Sequence, residues 1–216
     1  MKWTQYQLTL SLLRQEHIET VRYWRNHPMI SRYMEFREPI TPQMQANWFA
    51  GINNAYNFYF LITHQNEQVG LISTSGIDMD YQTGNCGIFI WQPQAVGSHV
   101  PVFAVLAMLN FNFHLLQLHT THIKVHHHNK KAIRYNHALG YRLMPPEQQP
   151  PTPFQHFRLT RQHYFTHTLR LRQLGNKLYG THSILQLSAT PQGEKVRSLL
   201  LNLPDETMHT LNLQII

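Results

Sequence analysis

Along the chain the spacing of apolar residues changes several times. Leu8, Leu10 and Leu12 alternate with Thr9 and Ser11, which predicts a strand over Tyr6–Leu13. Ile18, Val21 and Trp24 then fall at helical spacing until Pro28, and "PMISRYM" reads as a second short helix. Thr41 and Pro42 open a third helix, as N-cap and first helical residue. Tyr56–His64, Gln68–Ile77 and Asn85–Gln92 read as three strands joined by short polar turns, an antiparallel meander. The longest apolar block, Ser98–Leu118, predicts a long helix capped by Ser98, with Val102, Leu106, Leu109 and Phe113 on one face. A strand over His119–His128, a short helix ending at Gly140 and a strand around Tyr141 follow. Beyond the proline-rich loop Pro145–Pro153, a strand through Tyr164 and a helix over Phe165–Leu178 are expected. From Thr181 the pattern is strand–helix–strand, with the helix opening at Thr190 and Pro191.

This order predicts a mixed α/β (α+β) fold, a mostly antiparallel central sheet with helices on both faces. Residues 1–180 form the main domain and 181–216 a C-terminal extension, whose "LNLQII" offers an edge for pairing two copies into a homodimer.

Composition narrows the partners. Of 216 residues, 42% are hydrophobic and only 13% charged, with 16 His and a net charge of +7. A pI near 9.7 suits anionic ligands such as phosphorylated cofactors or nucleotide sugars. It suits nucleic acid equally, but no tight Lys/Arg run supports that partner. One cysteine, Cys86, excludes an internal disulfide and a Cys-based zinc site. No apolar leader or membrane-length run is present, so a soluble, cytoplasmic protein is expected.

Two junctions carry chemistry. At "WQPQAVGSHVPVF" a strand passes through a Gly-containing loop into a helix, and free N–H groups at such a terminus attract anions. At "HHHNKKAIRYNHALGYRL" a strand meets Asn129 and a short helix closed by Leu139-Gly140-Tyr141, with Gly140 left-handed. Taken alone, this second segment is an amphipathic helix with an Asn cap and a Gly stop. His126 and His128 share one face of the expected strand, but no carboxylate lies near, and no metal is expected.

In this order and separation the two junctions resemble the Gcn5-related N-acetyltransferase (GNAT) family, over about Leu8 to Tyr164. The loop Gln94-Ala95-Val96-Gly97-Ser98-His99 matches that family's pyrophosphate loop. Asn129-Lys130-Lys131-Ala132-Ile133 with Leu139-Gly140-Tyr141 matches its pantetheine-covering helix. The resemblance implies acetyl-CoA as co-substrate, held where strands four and five splay. The N–H groups of Val96, Gly97, Ser98 and His99 would meet the pyrophosphate, with Gln94 at the head of the loop. The backbone of Ile88, Phe89 and Ile90 would meet the pantetheine, with Asn129 bonded to it and Ala132 beside it.

The opening "TVRYWRNHPMISRYM…EPITPQMQANWF" resembles two GNAT sub-branches, the ribosomal-protein N-terminal acetyltransferases and the acetyltransferases of nucleotide-linked amino sugars. It implies an acceptor cleft near Trp24, Arg25, Asn26, Glu35 and Glu38, and a small-molecule amine acceptor, with a nucleotide-linked amino sugar favoured by the basic charge and aromatic "YNFYF". A cleft for a nucleotide would be basic and aromatic, and one for a peptide amine open and acidic.

Two positions depart from the family pattern. His99 replaces a small loop residue, and Asn136 stands where the family often has its acid Tyr. Asn136 and its neighbour Tyr135 are the candidate catalytic positions, although helix geometry turns Tyr135 about 100° away. The direct attack of an amine on a thioester depends on positioning and a proton outlet. The alternatives are a peptide N-terminus as acceptor and a non-catalytic acyl-CoA-binding or interaction module.

Overall fold

The computed structural model describes residues 1–216. Ten strands form one sheet in the order β10-β9-β1-β2-β3-β4-β5-β6-β8-β7. The chain enters as a hairpin, β1 (Lys2–Gln5) and β2 (Leu8–Leu12), where the sequence predicts one strand. Tyr6 and Gln7 turn the hairpin with φ of 55° and 58°, a conformation costly for side chains larger than Gly. Burial of the Tyr6 ring against Phe103, centroids 5.3 Å apart, offsets that cost.

Helices α1 (Ile18–Asn26), α2 (Pro28–Ser31) and α3 (Pro42–Ile52) come next. Thr41 caps α3 by accepting the Met44 N–H at 3.2 Å. The meander β3 (Phe58–His64), β4 (Glu67–Asp78) and β5 (Thr83–Ile90) is antiparallel as expected. Its alternation sorts two cores. Phe58, Phe60, Ile62 and Ile72 face α4 (Val100–Asn110), whereas Leu61 and Leu71 face α1 and α3 beside Trp24, Trp48 and Trp91.

Helix α4 is buried on nearly every side and runs into a wider π turn over Phe111–Leu115, not the one-faced helix the spacing predicts. Buried Asn110 is satisfied by Gln5 and the Tyr164 hydroxyl, so its polarity adds no orphan group to the core.

Strand β6 (Thr120–His126) lies parallel to β5, and α5 (Lys130–Ala138), β7 (Arg142–Leu143) and β8 (Phe154–Thr160) complete this half. The expected strand through Tyr164 stops at Thr160, which caps α6 (Arg161–His167) by accepting the His163 N–H. Thr168 separates α6 from α7 (Leu169–Tyr179), dividing the single predicted helix.

At the other edge β9 (Ser183–Gln186) pairs with β1, followed by α8 (Pro191–Leu200), α9 (Asp205–Leu211) and edge strand β10 (Leu213–Ile215). The extension therefore carries one helix more than expected, and Leu185, Val196 and Leu211 join the main core. No helix is long and apolar enough to cross a membrane.

Candidate active site

Strands β5 and β6 pair only where Thr83–Asn85 meet Thr120–His122; beyond that they diverge. The Gln82 carbonyl accepts from His119 on the β6 side, and the Trp91 N–H donates to Val69 on the β4 side. Alternation between those two points turns the peptide groups of Cys86, Ile88 and Ile90 into the gap. The peptide of Phe89 is turned to β4 opposite Leu71, which corrects the expectation that all three residues from Ile88 to Ile90 offer backbone there.

Past Ile90 the loop folds on itself. The Val96 N–H donates to Gln92 at 3.2 Å and the Ser98 N–H to Ala95 at 3.2 Å, so neither is available to an anion. The Ser98 hydroxyl accepts the Val100 N–H at 3.1 Å while donating to Ala95 O at 2.8 Å. Ser98 is thus one residue ahead of the N-cap proper, His99. The N–H groups of Gly97, His99 and Val102 make no hydrogen bond within the protein. This reduces the expected run of donors from Val96 to His99 to Gly97 and His99. Gly97 has φ +82° with open space around its Cα, and Gln94 is exposed. The His99 ring stacks on Tyr179 at 5.8 Å and packs against Phe103 and His64.

On the far side of the gap, Asn129 caps α5 by accepting the Ala132 N–H at 3.1 Å. Gly140, at φ +93°, closes α5 with its N–H on His137, and the Tyr141 N–H reaches back to Asn136 at 3.0 Å. The Tyr135 hydroxyl donates to Pro101 O at 2.8 Å, fastening α5 to the first turn of α4. Burial pushes the Tyr135 phenol well above its ordinary pKa, so it stays protonated. The Asn136 amide donates to Ala132 O at 2.8 Å.

A cavity of about 630 Å³ opens through this gap. Val105 and Met108 of α4 line one end, and Val21, Arg25, Gln45 and Trp48 of α1 and α3 line the other, so the cavity joins the two faces of the sheet. Ile88, Phe89, Asn129, Ala132, Tyr135, Asn136 and Arg25 all line it. Tyr135 therefore reaches the same space as Asn136, against the expectation from helix geometry. Loop residues Gln94, Val96, Gly97, Ser98 and His99 lie outside the cavity lining.

Of the expected acceptor residues, Trp24, Asn26, Glu35 and Glu38 are not in the lining. Trp24 stacks on Trp91 with rings 6.1 Å apart, as core. Asn26 grips the Ile40 backbone in both directions at 2.8 and 2.9 Å and so fixes the loop that roofs the cavity. Glu35 pairs with Lys124 of β6, and Glu38 is exposed.

The lining also holds residues that the sequence reading did not place there, among them Gln45, Cys86, Tyr141 and His126. Gln45 shares the i, i+3, i+7 spacing of Trp48 and Ile52, the signal that it faces inward. Burial raises the Cys86 pKa, and its thiol lies 3.4 Å from both Thr74 Oγ1 and Asn112 Nδ2. The Tyr141 hydroxyl is shared with Thr121 at 3.0 Å, and burial raises its pKa too. His126 Nδ1 accepts the His128 N–H, so the neutral ring carries its proton on Nε2. The strand ends at His126, and the three successive imidazoles cluster, with His127 and His128 centroids 4.0 Å apart.

The lining includes no Asp or Glu. What it can do chemically is hold an extended chain against the free peptide groups of β5 and admit a second reactant from the α1–α3 side.

Comparison with known proteins bears on this geometry. A search of curated proteins finds no match. Spermidine N-acetyltransferase from Vibrio cholerae, solved in complex with CoA and spermine, is similar in fold, with a TM-score of 0.63 and 20% identity over 74% of this chain and 98% of that one. A domain from Methanocaldococcus jannaschii DSM 2661 is similar with a TM-score of 0.62 and 16% identity, over 71% of this chain and 97% of that one. The acetyltransferase (GNAT) domain model matches residues 7–142, well over half of the sequence. The chain therefore belongs to the GNAT family and is an N-acetyltransferase.

Proposed function

We propose that the protein transfers acetyl from acetyl-CoA to the primary amine of a small, anionic acceptor, with nucleotide-linked amino sugars as the first class to test. The observation that carries this reading is the cavity itself, which connects the α4 side of the split sheet with the α1–α3 side. The pantetheine arm would pair with the peptide groups of Cys86, Ile88 and Ile90, and Asn129 and Ala132 would cover it. The pyrophosphate would meet Gly97 and His99 at the start of α4, where free N–H groups and the helix dipole favour negative charge.

The acceptor would enter past Arg25 and Trp48. Its neutral amine attacks the thioester carbonyl, the C–S bond breaks, and CoA leaves with the proton that the amine gives up. The lining supplies no carboxylate, and the His126 lone pair is already engaged, so that proton travels through water. Positioning then supplies the acceleration, with Asn136 as a polar contact that holds reactants but cannot ionise.

Electrostatics separates the acceptor classes. Arg25, which has no ion-pair partner, Lys124, which is paired with Glu35, and the aromatic rings of Tyr33, Phe36, Trp48 and Tyr59 line the cavity, and no acidic residue is in the lining. That matches the basic, aromatic cleft expected for a nucleotide and not the acidic one expected for a peptide amine. The spermine of the Vibrio cholerae complex is a polycation, and nothing in this lining would neutralise one.

The test is calorimetric titration with acetyl-CoA, followed by thiol-release assays with UDP- and dTDP-linked amino sugars, an N-terminal peptide and spermidine. Micromolar acetyl-CoA binding with turnover of a sugar nucleotide is the expected result. Absence of binding at millimolar acetyl-CoA refutes the reading.

A further inference from the structure

Two buried donors in the cavity have no partner. Gln45 is only 3% exposed, yet its Nε2 makes no hydrogen bond. Arg25 Nη1 is buried and equally unpartnered, and Arg25 belongs to none of the molecule's ion pairs. Both side chains line the same cavity, from adjacent helices α1 and α3. Burial lowers the Arg25 pKa, which records the cost of keeping this charge out of water. Buried polar groups are nearly always satisfied, and a half-buried cation with one nitrogen sealed from water and unpartnered is an exception that calls for a cause. The other cation of the lining, Lys124, already has Glu35. The α1–α3 end of the cavity is thus short of one negative charge and of acceptor atoms for two donors.

We infer that Arg25 and Gln45 form a subsite for an oxyanion carried by the acceptor itself, a phosphoryl or carboxylate group, whose amine then points at the sheet gap. A guanidinium fork and an amide NH2 group opening on one cavity match the planar, multiple acceptance of such an oxyanion. The apolar walls around it, Met44 and Trp48 among them, lower the local dielectric and strengthen the pairing. This assignment rests on the acyl-transfer reading for the role of the amine, while the anion preference stands by itself.

The test uses the full chain, with and without CoA, and matched ligand pairs that differ only in the acidic group. One pair is a 4-amino sugar 1-phosphate and the free 4-amino sugar, and the other is phenylalanine and its amide. Calorimetry of the wild type should show the anionic member of at least one pair binding at least about tenfold more tightly, the range of a charge-assisted hydrogen bond. The pair that shows it separates phosphoryl from carboxylate. In Arg25→Met and in Gln45→Leu the preference should fall to within about threefold, while acetyl-CoA affinity holds. The Arg25→Met protein should also keep its melting point to within about two degrees, because a half-buried side chain without hydrogen bond or ion pair contributes little to the fold. Equal binding within both pairs, a preference that survives Arg25→Met, or a melting point several degrees lower in that variant would overturn the assignment. Failure of wild-type acetyl-CoA binding in the same runs would remove the acyl-transfer reading, leaving the matched pairs to decide the subsite.

Discussion

Acidification should destabilise this fold through one imidazole, His114. It lies in the π turn after α4, is 6% exposed, packs against Phe165 with ring centroids 4.7 Å apart, and has an unpartnered Nδ1. Burial, reinforced by the positive charges of Arg161 and Arg172, lowers its pKa from 6.5 to about 4. The unfolded chain therefore takes up a proton below pH 6.5 that the folded chain refuses until about pH 4. Stability from this group is fully present above 6.5 and is lost as pH falls between those values. At about 1.4 kcal/mol per pH unit, the interval from 6.5 to about 4 corresponds to about 3.4 kcal/mol in full. About 2 kcal/mol of it is expressed at pH 5 and almost none at pH 7. His114→Phe keeps a ring against Phe165 and removes the titration. Urea unfolding at pH 7 and pH 5 should show the wild type losing about 2 kcal/mol more than the variant, or about 4–8 °C in thermal midpoint for a chain of this size. His122 and His163, whose pKa values are also lowered by burial, act in both proteins and cancel in the difference. Identical pH dependence of the two proteins would refute the assignment to His114.

Two further substitutions test the site and the extension. Gly97→Val places a β-branched residue at φ +82° beside the free N–H groups; acetyl-CoA affinity should fall at least about tenfold while the fold survives, and unchanged affinity in a titration would move the pyrophosphate elsewhere. Gly193→Ala sets a methyl 2.0 Å from the Ser188 carbonyl, at the turn that seats α8. Overpacking there should cost at least about 2 kcal/mol, and an unaltered melting curve would show that α8 shifts freely on the sheet.

The antiparallel meander was legible because it follows from local rules, whereas the split was legible only through the resemblance to the GNAT family. Alternation fixed the meander β3–β5, Gly140 fixed the end of α5, and both junction motifs lie within a few residues of the peptide groups they position. The first hairpin was not legible. Its turn, Tyr6-Gln7, lacks the Asn-Gly chemistry that announces two left-handed residues. What holds it is the packing of Tyr6 against Phe103 in α4 and beside Gly175 in α7, where an added Cβ would lie 2.8 Å from the Tyr6 ring. Such contacts link positions some 100 to 170 residues apart, which no window of sequence reports. The expected strand through Tyr164 failed for a related reason. The capping hydroxyl of Thr160 ends it, and burial of Tyr164 in the core makes the helical continuation read as strand.

The same distinction governs the site. The family resemblance implies Asn26 and Glu35 as acceptor contacts, but each has a partner within the fold, Ile40 and Lys124 respectively. Gln45, a polar residue among Met44, Trp48 and Phe49, belongs to no motif, although its spacing with Trp48 and Ile52 turns it inward. Partnership separates the two groups. A polar side chain that the fold has satisfied holds the fold, and one that lines a cavity without a partner is available to a ligand. By that criterion Arg25 alone among the expected acceptor residues lines the cavity with an unpartnered donor, and Gln45 does the same. Sequence spacing can indicate that a residue points inward, but whether its hydrogen-bonding capacity is already spent depends on Ile40, Lys124 and the rest of the three-dimensional surroundings.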